Sequence, residues 1–307
     1  MVEVSNYKDI SGTIVTHLLG ALPDRLRGRI SLPLSLPVKR RGVHMKIPLG
    51  GPGVSLNDAL SHFKDGGSWK TDVFKRFVYE RQPVFVDIGA NIGQTLLEIF
   101  AARPDARYVG FEPNLPCAAY LARMIQANKW ETAVILASAL AADAGVIAFY
   151  RHAGSSSDPC ATIVKDLRPG RKLYKNWIPC LPFDTVRQKL ELDHIDLVKI
   201  DVEGAELDVI TGMDETLHSM RPIILCEVLF TDSAADVLTA TRRNKELMRR
   251  LTMCGYTVWQ LIKSEDLKKV QSIRPVAEFP QGCWTLANAE LCDYLFLPKE
   301  RERQMVW

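Results

Sequence analysis

Two carboxylates stand where apolar runs break into turns, and their spacing carries the most chemistry in this chain. Val84-Phe85-Val86-Asp87-Ile88 is β-branched and aromatic and runs into Gly89-Ala90-Asn91-Ile92-Gly93. Nineteen residues after Gly93, a second run, Tyr108-Val109-Gly110-Phe111, ends at Glu112. A glycine-containing turn between strand and helix allows unusual backbone angles and lets a ligand approach backbone amides. An acid at Asp87 beside such a turn repels a pyrophosphate and attracts a ligand that carries an ammonium group. Glu112 is placed to accept hydrogen bonds from the two hydroxyls of a ribose. The dinucleotide fingerprint G-x-G-x-x-G is not met, because Asn91 stands at its second glycine and Gln94 at its third. S-adenosylmethionine (SAM) therefore fits better than a nicotinamide dinucleotide, with Asp87, Gly89, Asn91, Gly93 and Glu112 as its expected contacts.

A second acid-loaded strand end follows in Ile195-Asp196-Leu197-Val198-Lys199-Ile200-Asp201-Val202-Glu203-Gly204-Ala205-Glu206. Methyl transfer from a sulfonium is an in-line displacement whose leaving group is already activated, so the protein has to align the acceptor and handle its proton. In open parallel sheets the reacting groups gather at the carboxyl ends of strands, where Asp201, Glu203 and Glu227 fall. Asp201 is the expected catalytic or acceptor-orienting acid. Lys199 shares its side-chain parity and is expected to pair with it or to orient the same hydroxyl. Glu203 is the further catalytic candidate, with first-turn helix acids as the plainer reading of Glu203 and Glu206. His152 is a weaker candidate base. No metal ligand is assigned, although Asp201, Glu203 and Glu227 brought together would suit an oxygen-preferring ion such as magnesium.

The combination of VFVDIGANIGQT, GFEPN, VKIDVEGAEL and ILCEV resembles the FkbM family of SAM-dependent methyltransferases, over about Val84 to Pro298. The resemblance implies a class I, Rossmann-like fold and methylation of hydroxyl oxygens. It also implies that Ser138 and Ala139, just past the third strand, meet the adenine ring. The acceptor it implies is a sugar, glycan or secondary-metabolite-type small molecule. An NAD(P)-dependent oxidoreductase and a SAM-binding scaffold without catalysis are the competing readings.

The elements that must hold these residues are those of an α/β domain. Ile92, Leu96, Ile99 and Phe100 form one face of a helix after the glycine turn. Cys117–Asn128 reads as a further helix, and strands are expected at 132–136, 223–228, 256–262 and 294–297. The expected fold is a mostly parallel seven-stranded sheet with helices on both faces. Residues 81–300 would be the catalytic domain. Residues 1–80 would be an α-helical or irregular extension serving as lid or substrate segment, with a helix over Thr13–Leu22 and a proline-punctuated stretch at Leu32–Pro37. The polar segment from His152 to Lys175 suggests no regular element and is expected to contact the acceptor.

A chain of 307 residues that is 47% hydrophobic can bury a large core. A net charge of +3 demands neither nucleic acid nor an anionic membrane as partner. No window supplies a membrane span, and the first residues lack a basic region followed by an apolar core, so a cytoplasmic location is expected. The seven cysteines show no C-x-x-C spacing, as in reduced chains. A homo-oligomer is left open.

Overall fold

The computed structural model describes residues 21–27, 34–62, 68–77, 82–165, 172–231, 236–279 and 281–304. The expected helix over Thr13–Leu22 lies outside them except for its last two residues. The described part of the extension opens with an antiparallel hairpin of β1 (Ser35–Arg40) and β2 (Val43–Pro48). Its turn, Arg41-Gly42, has positive φ at both positions, the conformation that matches strand twist. This hairpin corrects the helical or irregular reading of residues 1–80. Pro37 hid β1, yet a proline is tolerated in a strand whose N–H need not enter a ladder. The described extension also carries helices Asp24–Arg27, Leu56–Ser61 and Trp69–Phe77.

β3 (Val84–Ile88), β4 (Arg107–Phe111) and β5 (Ala133–Leu136) then run parallel, joined by helices Gln94–Ala102 and Leu115–Asn128. A separate three-stranded sheet follows, made of β6 (Ala139–Leu140), β7 (Gly145–His152) and β8 (Leu173–Leu181). β8 corrects the reading of the His152–Lys175 segment as wholly irregular. Its first half is mostly exposed, with Tyr174 and Trp177 on the surface beside Lys175 and Asn176, so no buried apolar period marks it. The main sheet resumes with β9 (Leu197–Ile200) and β10 (Ile223–Glu227), and closes with β11 (Tyr256–Lys263), β12 (Val270–Pro275) and β13 (Asp293–Pro298). Its order is β12-β11-β13-β10-β9-β3-β4-β5. The five strands from β10 to β5 are parallel, and β13 sits antiparallel between β10 and β11.

The sheet has eight strands rather than the expected seven. The added one, β12, is an antiparallel edge with mostly exposed residues, which leaves no apolar run to read. The rest is the class I arrangement. Alternation along the strands sends Phe85, Leu197, Leu225 and Leu295 to one core, and Val86, Val198, Ile224 and Phe296 to the other. Helix Trp69–Phe77 covers the first of these faces with Trp69, Val73, Phe74 and Phe77. By the same parity, Asp87, Lys199, Asp201 and Glu227 belong to that face. The extension is thus packed against the side of the sheet that carries the charged strand ends. No described helix is long and apolar enough to cross a membrane.

Candidate active site

A cavity of about 330 Å³ opens at the carboxyl ends of β3, β4, β9 and β10. Gly89, Asn91, Glu112, Ser138 and Ala139 line it, as do Lys199, Asp201, Glu203 and Glu227. Two expected cofactor contacts, Asp87 and Gly93, do not.

The glycine turn is demanded partly by packing. Gly89 has φ +82°, and a Cβ there would lie 1.8 Å from the Asp201 carbonyl oxygen. Gly93 has φ +93°, and a Cβ there would lie 2.6 Å from Leu121. Gly93 gives helix Gln94–Ala102 no side-chain cap, which leaves the first-turn N–H groups without a side-chain acceptor beside cavity residues Gln94 and Thr95.

Glu112 is buried and braced. Its carboxylate accepts from the backbone N–H groups of Asn91 and Asn114, each at 2.7 Å. Burial pushes its pKa up to about 7 against the pull of those two N–H groups. Ser138 Oγ is buried on the cavity wall and has no hydrogen-bond partner among the described residues. An orphaned hydroxyl, uncapped helix amides and a carboxylate with spare lone pairs form a donor and acceptor set that fits the adenine, carboxylate and ribose of SAM.

Asp87 does not line the cavity, which corrects its expected contact with an ammonium group. It is fully buried beneath the cavity, where its carboxylate accepts from Tyr108 Oη at 2.6 Å and pairs with Lys199 Nζ at 3.2 Å. The register explains this. Asp87 lies opposite Lys199 on β9 and opposite Gly110 on β4, and the missing side chain at Gly110 makes room for the Tyr108 ring. Burial raises the Asp87 pKa, while Lys199 and the Tyr108 hydrogen bond oppose that rise.

Lys199 ties this buried pair to the cavity. Its ammonium donates to Gly89 O at 2.8 Å and lies 3.3 Å from Asp201 Oδ2. Burial works against its charge, but Asp201 and Asp87 overcome this and hold its pKa above the usual lysine value. Burial also works against the Asp201 charge, but Lys199, Lys70 and a hydrogen bond from Glu227 keep Asp201 ionised. Glu227 is the protonated partner, raised by burial and by the charges of Asp201 and Asp293. The two acids therefore share one proton, with Asp201 as the carboxylate available to an acceptor.

Oxygens of Asp201, Glu203 and Glu227 lie within 4.8 Å of one another, a donor set of the kind a hard cation takes. The ammonium groups of Lys199 and Lys70 on the same wall work against one. Glu206 is turned away and accepts from Gly204 N at 2.8 Å, and His152 is exposed and off the cavity wall. The polar segment that begins at His152 does reach the cavity, through Asp158, Pro159, Ala161, Thr162 and Ile163. Thr162 Oγ1 donates to Glu203 O at 2.6 Å and so fixes that loop to the acid cluster. Sequence reasoning missed Lys70, Phe149 and Thr162 on the wall; no motif marks them.

Comparison with known proteins gives the same family. Residues 87–258 match the family described as "Methyltransferase FkbM domain". The methyltransferase sdnD of Sordaria araneosa is 29% identical over 164 residues, covering 43% of this chain and 61% of that protein. The 2-O-methyltransferase NoeI of Sinorhizobium fredii is 28% identical over 184 residues, covering 55% of this chain and 75% of that protein. Among solved structures, the methyltransferase FkbM from Methylobacillus flagellatus KT aligns with a TM-score of 0.45 at 15% identity, covering 79% of this chain and 52% of that one.

Proposed function

The chain belongs to the FkbM methyltransferase family, and from that premise we propose that it is a SAM-dependent O-methyltransferase acting on a hydroxyl of a sugar or secondary-metabolite-type small molecule. The carrying observation is the pair of carboxyl groups of Asp201 and Glu227, whose oxygens lie within 4.8 Å of each other on the wall of the cavity that also holds Glu112 and the Ser138 hydroxyl. When bound, SAM supplies a methyl carbon on a sulfonium; the C–O bond forms as the C–S bond breaks, and the electron pair leaves on sulfur. Glu112 would hold the ribose and Ser138 the adenine. The first turn of helix Gln94–Ala102 would meet the methionine carboxylate. Asp201 would orient the acceptor hydroxyl and take its proton, while Glu227 and Lys199 keep that carboxylate in place. Lys199 and its buried partner Asp87 act as the foundation of the site rather than as ligand contacts. Residues 81–300 form the catalytic domain in this reading, and the extension closes it. The relative named as a 2-O-methyltransferase supports oxygen as the methylated atom.

Calorimetric titration with SAM and with NADH tests the cofactor. Saturable binding of SAM with none of NADH is expected; the reverse would return the dinucleotide reading.

A further inference from the structure

Lys199 donates to Gly89 O and is ion-paired with Asp87 at 3.2 Å and with Asp201 at 3.3 Å, so its ammonium is held by groups of the site itself. Lys70 lines the same cavity; its ammonium lies 5.7 Å from the centre of the Trp69 ring and, among the described residues, makes no hydrogen bond or salt bridge. Its position is built rather than incidental. It is the second residue of helix Trp69–Phe77, whose buried face packs on the sheet side that carries the acids. The first turn of that helix is fixed by Trp69 N donating to Leu267 O at 3.1 Å, by Ser68 Oγ donating to Glu98, and by the Lys263 ammonium 5.0 Å from the centre of the Trp69 ring. The Lys70 charge favours the ionised forms of Asp201 and Asp293 without contacting either. The Lys70 ammonium, lying over the Trp69 ring, and the Asp201 carboxylate, held by Lys199, thus line one cavity. Lys70 also lies outside the matched residues 87–258, so the family match does not account for it.

We propose, on the methyl-transfer reading above, that Lys70 is a catalytic residue that holds the acceptor oxygen: its ammonium donates a hydrogen bond to the hydroxyl being methylated, across from Asp201. A hydroxyl has one proton and two lone pairs. The O–H points at Asp201, one lone pair accepts from Lys70, and the second lone pair remains for the methyl carbon. As the new C–O bond forms and the C–S bond breaks, the proton passes to Asp201, and Lys70 stays an ammonium that offsets the negative charge passing through oxygen. A neutral amine has a single lone pair and cannot both accept from Lys70 and attack. An ammonium meets like charge, and a carboxylate meets Asp201 and Glu203. The substrate class selected is therefore a neutral alcohol or polyol, with oxygen chosen over nitrogen.

The test compares wild type with Lys70→Met and Lys70→Arg. Removing a positive charge from a cavity that receives a sulfonium should raise the preference for SAM over S-adenosylhomocysteine, which lacks the sulfonium charge, by about fivefold in Lys70→Met, read calorimetrically. Label transfer from methyl-tritiated SAM to a small-molecule cell extract should fall about a hundredfold in the same variant, with SAM affinity not weakened. Lys70→Arg should keep the wild-type affinity ratio and most of the transfer. An unchanged ratio in Lys70→Met, or transfer within threefold of wild type, overturns the proposal. The ratio decides alone where the extract holds no acceptor. Wild type binding neither SAM nor S-adenosylhomocysteine would instead remove the methyl-transfer reading itself.

Discussion

Glu112→Gln tests the cofactor end of the cavity, because charge and shape separate there. The carboxylate is held by two backbone N–H groups at 2.7 Å, and burial places its pKa near 7. Its ionised form is the one that accepts from ribose hydroxyls, so SAM affinity is full above that pKa and is lost as pH falls through it. At pH 8 about nine-tenths of the free protein carries the ionised group, and at pH 6 about one-tenth does. Losing hydrogen bonds to a charged group costs about 1.5–3 kcal/mol, or roughly 10- to 150-fold in affinity at pH 8. At pH 6 wild type has itself lost about tenfold, so the gap between the two proteins narrows by about that factor. The α-amino group of SAM titrates in the same range in both, so the observable is the ratio of the two dissociation constants, measured calorimetrically from pH 6 to 8. A ratio that rises about tenfold across the window is expected. A flat ratio would refute the assignment of Glu112 as an ionised ribose ligand.

Asp201→Asn keeps the shape of the site and removes the charge that receives the proton; turnover of labelled SAM should fall by about two orders of magnitude or more with little change in SAM affinity. Full activity would move the proton to Glu203. Tyr108→Phe leaves the fully buried Asp87 carboxylate without its hydroxyl donor. It should cost about 1–3 kcal/mol of unfolding free energy in denaturant titration, and an unchanged midpoint would contradict the foundation role of that pair. Exhaustive chelation should leave methyl transfer unchanged, because two lysines and a shared proton already balance the acid cluster; loss of activity restored by magnesium would show that Asp201, Glu203 and Glu227 hold a cation.

The parts of the fold that were legible are those where burial leaves one pattern. β3 and β9 are buried along their whole length, so each reads as an unbroken apolar run, and an acid or lysine within it is conspicuous. β8 and β12 each leave many residues exposed, and their alternation carries too little apolar contrast to mark a strand. Asp87 was legible as important but misplaced in role, because its proximity to the turn outweighed its parity. The Tyr108-x-Gly110 spacing on the adjacent strand, a large hydroxyl beside a vacancy, was the signal that it faced inward. The Arg41-Gly42 turn of the hairpin was open to the same kind of reading. Lys70 had no such signal. Its place in the cavity comes from packing of helix Trp69–Phe77 against strands far along the chain, and local sequence does not encode that contact.

The central claim is that this cavity moves a methyl group from SAM to a hydroxyl oxygen. Incubating the purified protein with trideuteromethyl-labelled SAM and a small-molecule cell extract, followed by mass spectrometry, tests it directly. One product carrying a single trideuteromethyl group on oxygen is expected, formed in step with S-adenosylhomocysteine and absent with Asp201→Asn. Label on nitrogen or carbon, or no transfer by a protein saturated with SAM across extracts that contain free hydroxyl acceptors, would contradict it.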